Sequence, residues 1–411
     1  MADWRSVKIE DLAAPGKNSL ATGPFGSAIG SRFFREEGVP VIRGSNLSLK
    51  VGDRLLDDEI VFVDESKADE FSRSVARQGD LVFTCWGTVG QIGLVDSRAR
   101  FDRYIVSNKQ MKLTPDPKHT DSLFLYYALS SPEAVAQVQG VAIGSSVPGF
   151  NLTQLRQVVI SCPPLYEQKA IAEALGALDD KIVGNERIAT VAIELADAHY
   201  ARAVRELDFG PETFASTATV AGGGTPSTKV EGYWGGEIAW STPTDVTALT
   251  APYLFETGRT ITAKGLENCA SQLYPAQSIL MTSRATIGAF ALPQMPAAVN
   301  QGFIVVLPPT EELRWWLFHE MRSRVEEMIS LANGSTFLEL SRKNFKAMPI
   351  RLASDQNIAE FARAVSPLHR RAAQAAAESR TLATLRDTLL PQLMSGKLRV
   401  RDAEKIVEDA V

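Results

Sequence analysis

The sequence predicts a mixed α+β protein. Two duplicated α/β domains are separated by a pair of long antiparallel α-helices, a dumbbell in outline. Three observations carry this. Short β-rich runs and Gly/Ser/Thr turns in the first half recur in the same order in the second. Each half closes on a near-repeat, "GSSVPGFNLTQL" at 144–155 and "GSTFLELSRKNF" at 334–345. Each near-repeat leads into a long stretch with apolar residues at helical spacing. At 411 residues the chain also exceeds one ordinary core. The expected regions are a domain over 1–160, a helical spacer over 161–210, a second domain over 211–350 and a second spacer over 351–411.

The strands come first in order. "GVPVIRGSNL" (38–47) matches "GEIAWSTPTDV" (236–246), each a β-rich run ending in a polar turn. "GDLVFTCWGTVGQIGLV" (79–95) matches "QSILMTSRATIGAFAL" (277–292), with Thr88, Val89 and Gly90 falling on Thr286, Ile287 and Gly288. "VSNKQMKL" (106–113) matches "AVNQGFIVVL" (298–307), and aromatic helical stretches follow, "SLFLYYALS" and "LRWWLFHEM". In the first spacer an apolar stripe starts at Ile171 and Leu175, breaks near Gly176 and resumes through Leu178, Ile182, Ala189, Ala192, Ala196 and Ala203. In the second, Ile358, Phe361 and Val365 lead to a break at Ser366 and Pro367, followed by Leu368, Ala372, Ala375, Ser379, Leu382, Leu389 and Leu393. Each arm therefore reads as a short helix followed by a long one, and the small residues let two helices approach closely.

Composition narrows the function. Net charge is -5, and no segment is a basic domain: residues 1–160 carry 18 Lys and Arg against 19 Asp and Glu, and residues 351–411 carry 10 against 8. Phosphate neutralisation supplies most non-specific DNA affinity, so DNA binding by this chain alone is expected to be weak. Cys85, Cys162 and Cys269 show no C-x-x-C spacing, and the histidines at 119, 199, 319 and 369 are scattered, which argues against a structural metal or a disulfide framework. The polar start and the lack of an 18-residue apolar run give neither a signal peptide nor a membrane span, so the cytoplasm is the expected compartment. Phosphate-loop and dinucleotide fingerprints are missing, since "GGGTPSTK" (222–229) has the wrong spacing. "SCPPLY" and "VLPPTE" lack the Asn or Asp that base-methylating enzymes place before such prolines. The acids Asp57, Asp58 and Glu59 read as a solvated turn.

What recurs is polar side chains on turns at strand ends. Arg43, Ser45 and Asn46 match Thr242, Thr244 and Asp245; Trp86 and Thr88 match Arg284 and Thr286; Asn108 and Lys109 match Asn300 and Gln301. Most of these side-chain types can read base edges in a major groove. Ser145, Ser146 and Ser335 of the near-repeats, with Lys229 and Lys343, complete the candidate DNA-binding set. No catalytic or metal-ligating residue is expected.

Taken together, "GPFGSA", "GDLVFTCWGTVGQIG", "GSSVPGFNLTQLRQVVISCPPLYEQKAIAEALGALDDKI", "GGGTPSTKVEGYWGGEIAWSTPTDV", "LMTSRATIGAFAL", "AVNQGF" and "LRDTLLPQLMSGKL" resemble, in sequence and order, the specificity (S) subunit of type I restriction-modification systems, the HsdS family. The resemblance spans essentially the whole chain. It implies two target recognition domains, each reading half of an asymmetric bipartite site in double-stranded DNA, and helices that space them and dock two HsdM methyltransferase subunits. It also implies no cofactor in this chain: S-adenosylmethionine belongs to HsdM, and ATP with Mg belongs to the HsdR translocase and endonuclease. A fused methyltransferase-like enzyme and a duplicated protein-binding scaffold are the alternative readings. The first domain carries "PFGSA" where the second carries "GGGTPS", so different half-sites are expected.

Overall fold

Strands such as Val39–Ile42, Leu81–Thr84 and Gln110–Leu113 are buried at every position rather than at alternate ones, so each sits inside a layered α/β unit. The computed structural model describes residues 4–144, 148–334 and 338–408. The chain divides into two compact units, residues 1–181 with 381–411 and residues 182–380.

In the first unit the order is β1 (Arg5–Lys8), α1 (Ile9–Leu12), β2 (Leu20–Thr22), β3 (Val39–Ile42), β4 (Val61–Val63), α2 (Glu65–Asp69), β5 (Val75–Arg77), β6 (Leu81–Thr84), β7 (Ile92–Leu94), β8 (Arg103–Val106), β9 (Gln110–Leu113), α3 (Ser122–Ser130), α4 (Pro132–Val141), α5 (Leu152–Gln157), β10 (Val159–Cys162) and the start of α6 (Leu165–Ala203). Its sheets are β2-β9-β6-β7, β4-β3-β8-β5 and the pair β1-β10, with β3 and β8 parallel.

The second unit follows with α7 (Phe214–Thr217), β11 (Thr219–Gly222), β12 (Trp234–Ser241), α8 (Pro243–Thr247), β13 (Tyr253–Leu254), β14 (Thr260–Ile261), α9 (Ala263–Glu267), β15 (Ile279–Arg284), β16 (Thr286–Pro293), β17 (Ala297–Val299), β18 (Phe303–Leu307), α10 (Glu311–Arg322), α11 (Val325–Ser330), α12 (Arg342–Ala347) and the start of α13 (Asp355–Met394). The terminal α14 (Val400–Glu408) returns to the first unit. The ladder β11-β18-β15-β16 repeats β2-β9-β6-β7, and the parallel pair β12 and β17 repeats β3 and β8. The duplication is one of topology as well as of sequence order.

The helices differ from expectation. Neither arm is broken: α6 runs 39 residues through Gly176, and α13 runs 40 residues through Ser366 and Pro367. At 1.5 Å per residue each extends about 60 Å. Proline removes one N–H and frees the carbonyl four residues earlier. Here both Pro367 and Arg363 are exposed, so water can satisfy that carbonyl, while Val365 and His369 on the other face are buried. Packing of the apolar stripe thus overrides the local breaker. The stripe itself is as expected: all its named residues are buried except the exposed Ala203 and the half-buried Leu368. In the second unit the two helices run antiparallel, Ile182 meeting Ser379 and Tyr200 meeting Phe361.

Buried polar groups fix each helix to its unit. In the first, the side chain of Gln168, 1% exposed, donates to Pro163 O at 2.9 Å and His119 O at 3.1 Å, and accepts from Asp121 N at 3.0 Å. In the second, Glu320 accepts from Arg324 Nη1 at 3.0 Å, Arg351 Nη2 at 2.8 Å and the Tyr200 hydroxyl. Asp57 departs from the solvated-turn expectation. It is 7% exposed and accepts from Tyr104 Oη at 2.6 Å and Arg100 N at 2.8 Å, because the turn folds back over β8.

Two of the four histidines scattered in the sequence, His319 and His369, meet in the second unit. His319 Nδ1 lies 2.6 Å from Asp197 Oδ1, His319 Nε2 lies 2.9 Å from His369 Nε2, and His369 Nδ1 lies 2.9 Å from Tyr253 Oη. With Asp197 ionised, one proton order satisfies every member: His319 donates to Asp197, His369 donates to His319 and Tyr253 donates to His369. Burial lowers both imidazole pKa values. The Asp197 contact partly opposes this at His319, and the neighbouring His319 and the Arg322 and Arg314 charges reinforce it at His369. Burial disfavours the Asp197 carboxylate, but hydrogen bonds from His319 and Arg322 outweigh it and hold the group at about 2. The unfolded chain then binds more protons than the native one below the ordinary histidine value. Stability present above about pH 6.5 is therefore lost as pH falls, by about 1.4 kcal/mol per pH unit for each histidine held neutral. Denaturation followed by tryptophan fluorescence should show this slope, because Trp315 stacks on His369 with centroids 3.9 Å apart. A flat profile between pH 5 and 7 would contradict the paired arrangement.

Candidate nucleic-acid interface

Backbone hydrogen bonds gather the strand-end turns of the first unit at one edge. Ser107 N donates to Ile42 O at 3.0 Å, joining the turns after β3 and β8, and Cys85 N donates to Lys109 O at 2.7 Å, bringing in the turn after β6. The first near-repeat closes on the same turn: Gly87 N donates to Pro148 O at 3.3 Å and Phe150 N to Cys85 O at 2.8 Å. It then starts α5 through a capping box between Asn151 and Gln154. The near-repeat is thus a clasp over the turn, and its recurrence reflects the recurrence of that turn.

The result is a cleft of about 580 Å³ whose lining includes Arg43, Ser45, Trp86, Thr88, Asn108 and Lys109. Six residues singled out from sequence come together here. Arg43 lies over the Phe34 ring at 5.5 Å, and its Nε is buried with no hydrogen-bond partner. Asn108 Nδ2 donates to Gly26 O at 2.7 Å, while Ser45, Thr88 and Lys109 are exposed. Trp86 is 52% exposed. Asn46 does not join them. It is 2% exposed, its Oδ1 accepts from Arg43 N at 2.9 Å and its Nδ2 donates to Leu56 O at 2.8 Å, so its amide shapes the turn instead of meeting a ligand.

The second unit repeats the gathering. Asn300 N donates to Ser241 O at 3.0 Å, Ser283 N to Gly302 O at 2.8 Å, Ala285 N to Leu338 O at 3.0 Å and Leu340 N to Ser283 O at 2.9 Å. Thr244, Arg284, Thr286 and Gln301 are exposed along this edge. Asp245 closes its own turn, accepting from Thr242 N at 2.6 Å, Thr242 Oγ1 at 2.7 Å and Gly258 N at 2.8 Å, so Thr242 and Asp245 are spent locally. Asn300 Oδ1 accepts from Gly302 N at 2.8 Å, and Gln301 Oε1 accepts from Thr225 Oγ1 at 2.6 Å. Lys229 and Lys343 are exposed, and Lys343 lines a shallow basic concavity with Arg342 and Lys346. Ser145, Ser146 and Ser335 lie outside the described residues.

One pairing needs correcting. The parallel ladders set Ile42 beside Val106 and Ser241 beside Val299, so Asn300 is the equivalent of Ser107, and Gln301 of Asn108. The matches of Trp86 with Arg284 and Thr88 with Thr286 stand, because the last rungs of the preceding ladders pair alike: Thr84 opposite Gln110, Thr282 opposite Phe303. The sequence reading also missed the residues that shape the edge. Phe25, 76% exposed, carries Arg73 over its ring at 5.8 Å, and its position between Gly23 and Gly26 was the visible signal. Gly23 and Gly223 occupy matching crossings where no side chain fits. Chemistry at the one cysteine on the edge is suppressed, since burial pushes the Cys85 thiol up to about 12. Among the described residues, no group of three or more His, Cys, Asp or Glu could hold a metal, and no helix is long and apolar enough to cross a membrane.

Fold and site together define a duplicated protein: two α/β units of one topology, each presenting polar and aromatic side chains on matching turns, with different side chains at matching places. The family model described as the type I restriction modification DNA specificity domain matches residues 1–192 and 215–373, and the chain belongs to that family. Among curated relatives, it is 34% identical over 161 residues to the type I restriction enzyme MjaIX specificity subunit of Methanocaldococcus jannaschii, covering 39% of this chain and 37% of that one. It is 24% identical over 179 residues to the HindI specificity subunit of Haemophilus influenzae, covering 43% of this chain and 39% of that one. Each match thus spans less than half of the relative's own length. The crystal structure of a type I restriction-modification S subunit from M. genitalium shares the fold, with a TM-score of 0.58 at 16% identity over 95% of this chain and 96% of that one.

Proposed function

We propose that this chain is the DNA-recognition and scaffold subunit of a type I restriction-modification complex. Each unit reads one half of an asymmetric bipartite site in double-stranded DNA, and α6 and α13 set the spacing and dock two HsdM methyltransferase subunits. The observation that carries the reading is the gathering of Arg43, Ser45, Trp86, Thr88, Asn108 and Lys109 around one cleft, with a differently furnished counterpart in the second unit. Matching frames with different side chains are what two different half-sites require. The chain itself catalyses nothing on this reading. S-adenosylmethionine is held by HsdM, ATP and Mg by HsdR, and the complex works in the cytoplasm, where the cell's DNA lies.

The net charge of -5 supports a division of labour in which partner subunits contact phosphates and this chain contacts bases. Methylation sequencing of cells with and without the gene tests the proposal: a bipartite motif should be methylated only when the gene is present. The isolated chain should bind duplex DNA weakly at physiological salt and bind tightly, with steep salt dependence, once HsdM is added. Tight specific binding by the chain alone would contradict this.

A further inference from the structure

The two units place different pairs at one backbone site. In the first, Trp86 is bridged to Gly149, and a Cβ added to Gly149 would stand 2.4 Å from the indole, so the ring lies directly on the glycine backbone. In the second, Arg284 and Glu339 are bridged in the same way, and Arg284 Nη2 donates to Glu339 Oε2 at 2.7 Å. Both side chains of this pair are open to solvent, 45% and 43% exposed. The Arg284–Glu339 pair therefore does not hold the fold together, since an exposed ion pair contributes only about 0–1 kcal/mol.

The pair does solve a recognition problem. An unpaired arginine on a DNA-facing edge is drawn to any phosphate, whereas a carboxylate beside it cancels the net charge and orients the guanidinium. The remaining N–H groups keep the planar fork that fits O6 and N7 of guanine. An indole offers a single donor and an apolar face, so the Trp86 position cannot read guanine in this manner. Ala285, next to Arg284, adopts φ 62°, a left-handed conformation uncommon outside glycine, and its counterpart Gly87 has φ 100°. The turn that aims Arg284 is thus retained at a conformational cost.

We propose that Arg284, steadied by Glu339, is a specificity-determining residue that reads a guanine in the half-site of the second unit. This rests on the DNA-recognition reading above. The test is selection from randomised duplexes by the full chain in complex with its methyltransferase subunits, followed by competition binding on single-base variants of the enriched motif. The wild type should enrich a bipartite motif with guanine at one position of one half. Arg284→Ala should lose preference at that base pair alone, by about 5- to 150-fold. Arg284→Gln should shift the preference toward adenine, which a glutamine amide can engage at N6 and N7. Glu339→Gln leaves Arg284 in place and covers the case in which Arg284 variants disturb the fold; it should raise binding to unrelated duplex and steepen the salt exponent by about 0.9, one more phosphate neutralised. A wild-type motif that survives Arg284→Ala unchanged, or one with no guanine in that half, overturns this inference and leaves the DNA reading standing. A complex that enriches no motif overturns both.

Discussion

Replacing Asp179 by alanine is expected to destabilise the first unit by up to about 3–5 kcal/mol, the cost of breaking a buried ion pair, with Arg54 keeping Asp96 at 2.6 Å. Asp179 is 1% exposed and holds Arg386 Nη1 at 2.8 Å, Arg54 Nη2 at 3.5 Å and the Tyr127 hydroxyl. Arg386 and Arg54 are themselves 2% and 7% exposed, so water cannot replace the carboxylate. The group joins α6, α13 and α3 to the loop after β3, and its loss should loosen both helices where they meet this unit. In thermal unfolding the change corresponds to a fall of up to roughly 6–20 °C, at about 2–4 °C per kcal/mol for a unit of this size. Asp387 supplies the control. It pairs with the same Arg386 at 2.8 Å but is 57% exposed, so Asp387→Ala should cost at most about 1 kcal/mol. Equal effects of the two substitutions would show that burial does not set the strength of this network.

Alanine at Gly223 is expected to abolish recognition of the second half-site while sparing the first. An added Cβ would stand 2.0 Å from Val299 O and 2.4 Å from Asn300 O, far inside van der Waals separation, and both neighbours are backbone that cannot swing aside. The loop carrying Thr225 must then lift from the turn carrying Asn300 and Gln301, breaking the bond from Thr225 to Gln301. A well-placed side chain on a base edge supplies about 1–3 kcal/mol of discrimination, so misplacing two of them reduces selectivity for that half by roughly 30-fold or more. Gly23→Ala, with its Cβ 1.8 Å from Ser107 O, should do the same to the first half-site. Gly232→Ala, where nothing lies within 4 Å, should leave the methylation pattern unchanged. Methylation-motif sequencing of the three variants measures this. Loss of both halves from either single crossing substitution would argue against separate reading by the two units.

The duplication, the helical stripes and most of the cleft are legible in the amino-acid order. Ile171, Leu175 and Leu178, like Ile358, Phe361 and Val365, recur at helical spacing, and that period is local enough to be read without a fold. Trp86 and Arg284 match correctly because each sits two residues beyond the last rung of the ladder to β9 or β18 and two before a matching threonine. The rest arises only on folding. The equivalence of Ser107 with Asn300 depends on parallel ladders between strands about 60 residues apart, and a one-residue slip there leaves no trace in composition. Gly149 and Glu339 become partners of Trp86 and Arg284 only when the clasp closes, because their meeting is a bridge between distant segments. The passage of α13 through Pro367 rests on the same kind of non-local packing. Burial of Val365 and His369 against their unit outweighs one missing hydrogen bond on the exposed face, a balance that neither proline nor its neighbours in sequence reveal.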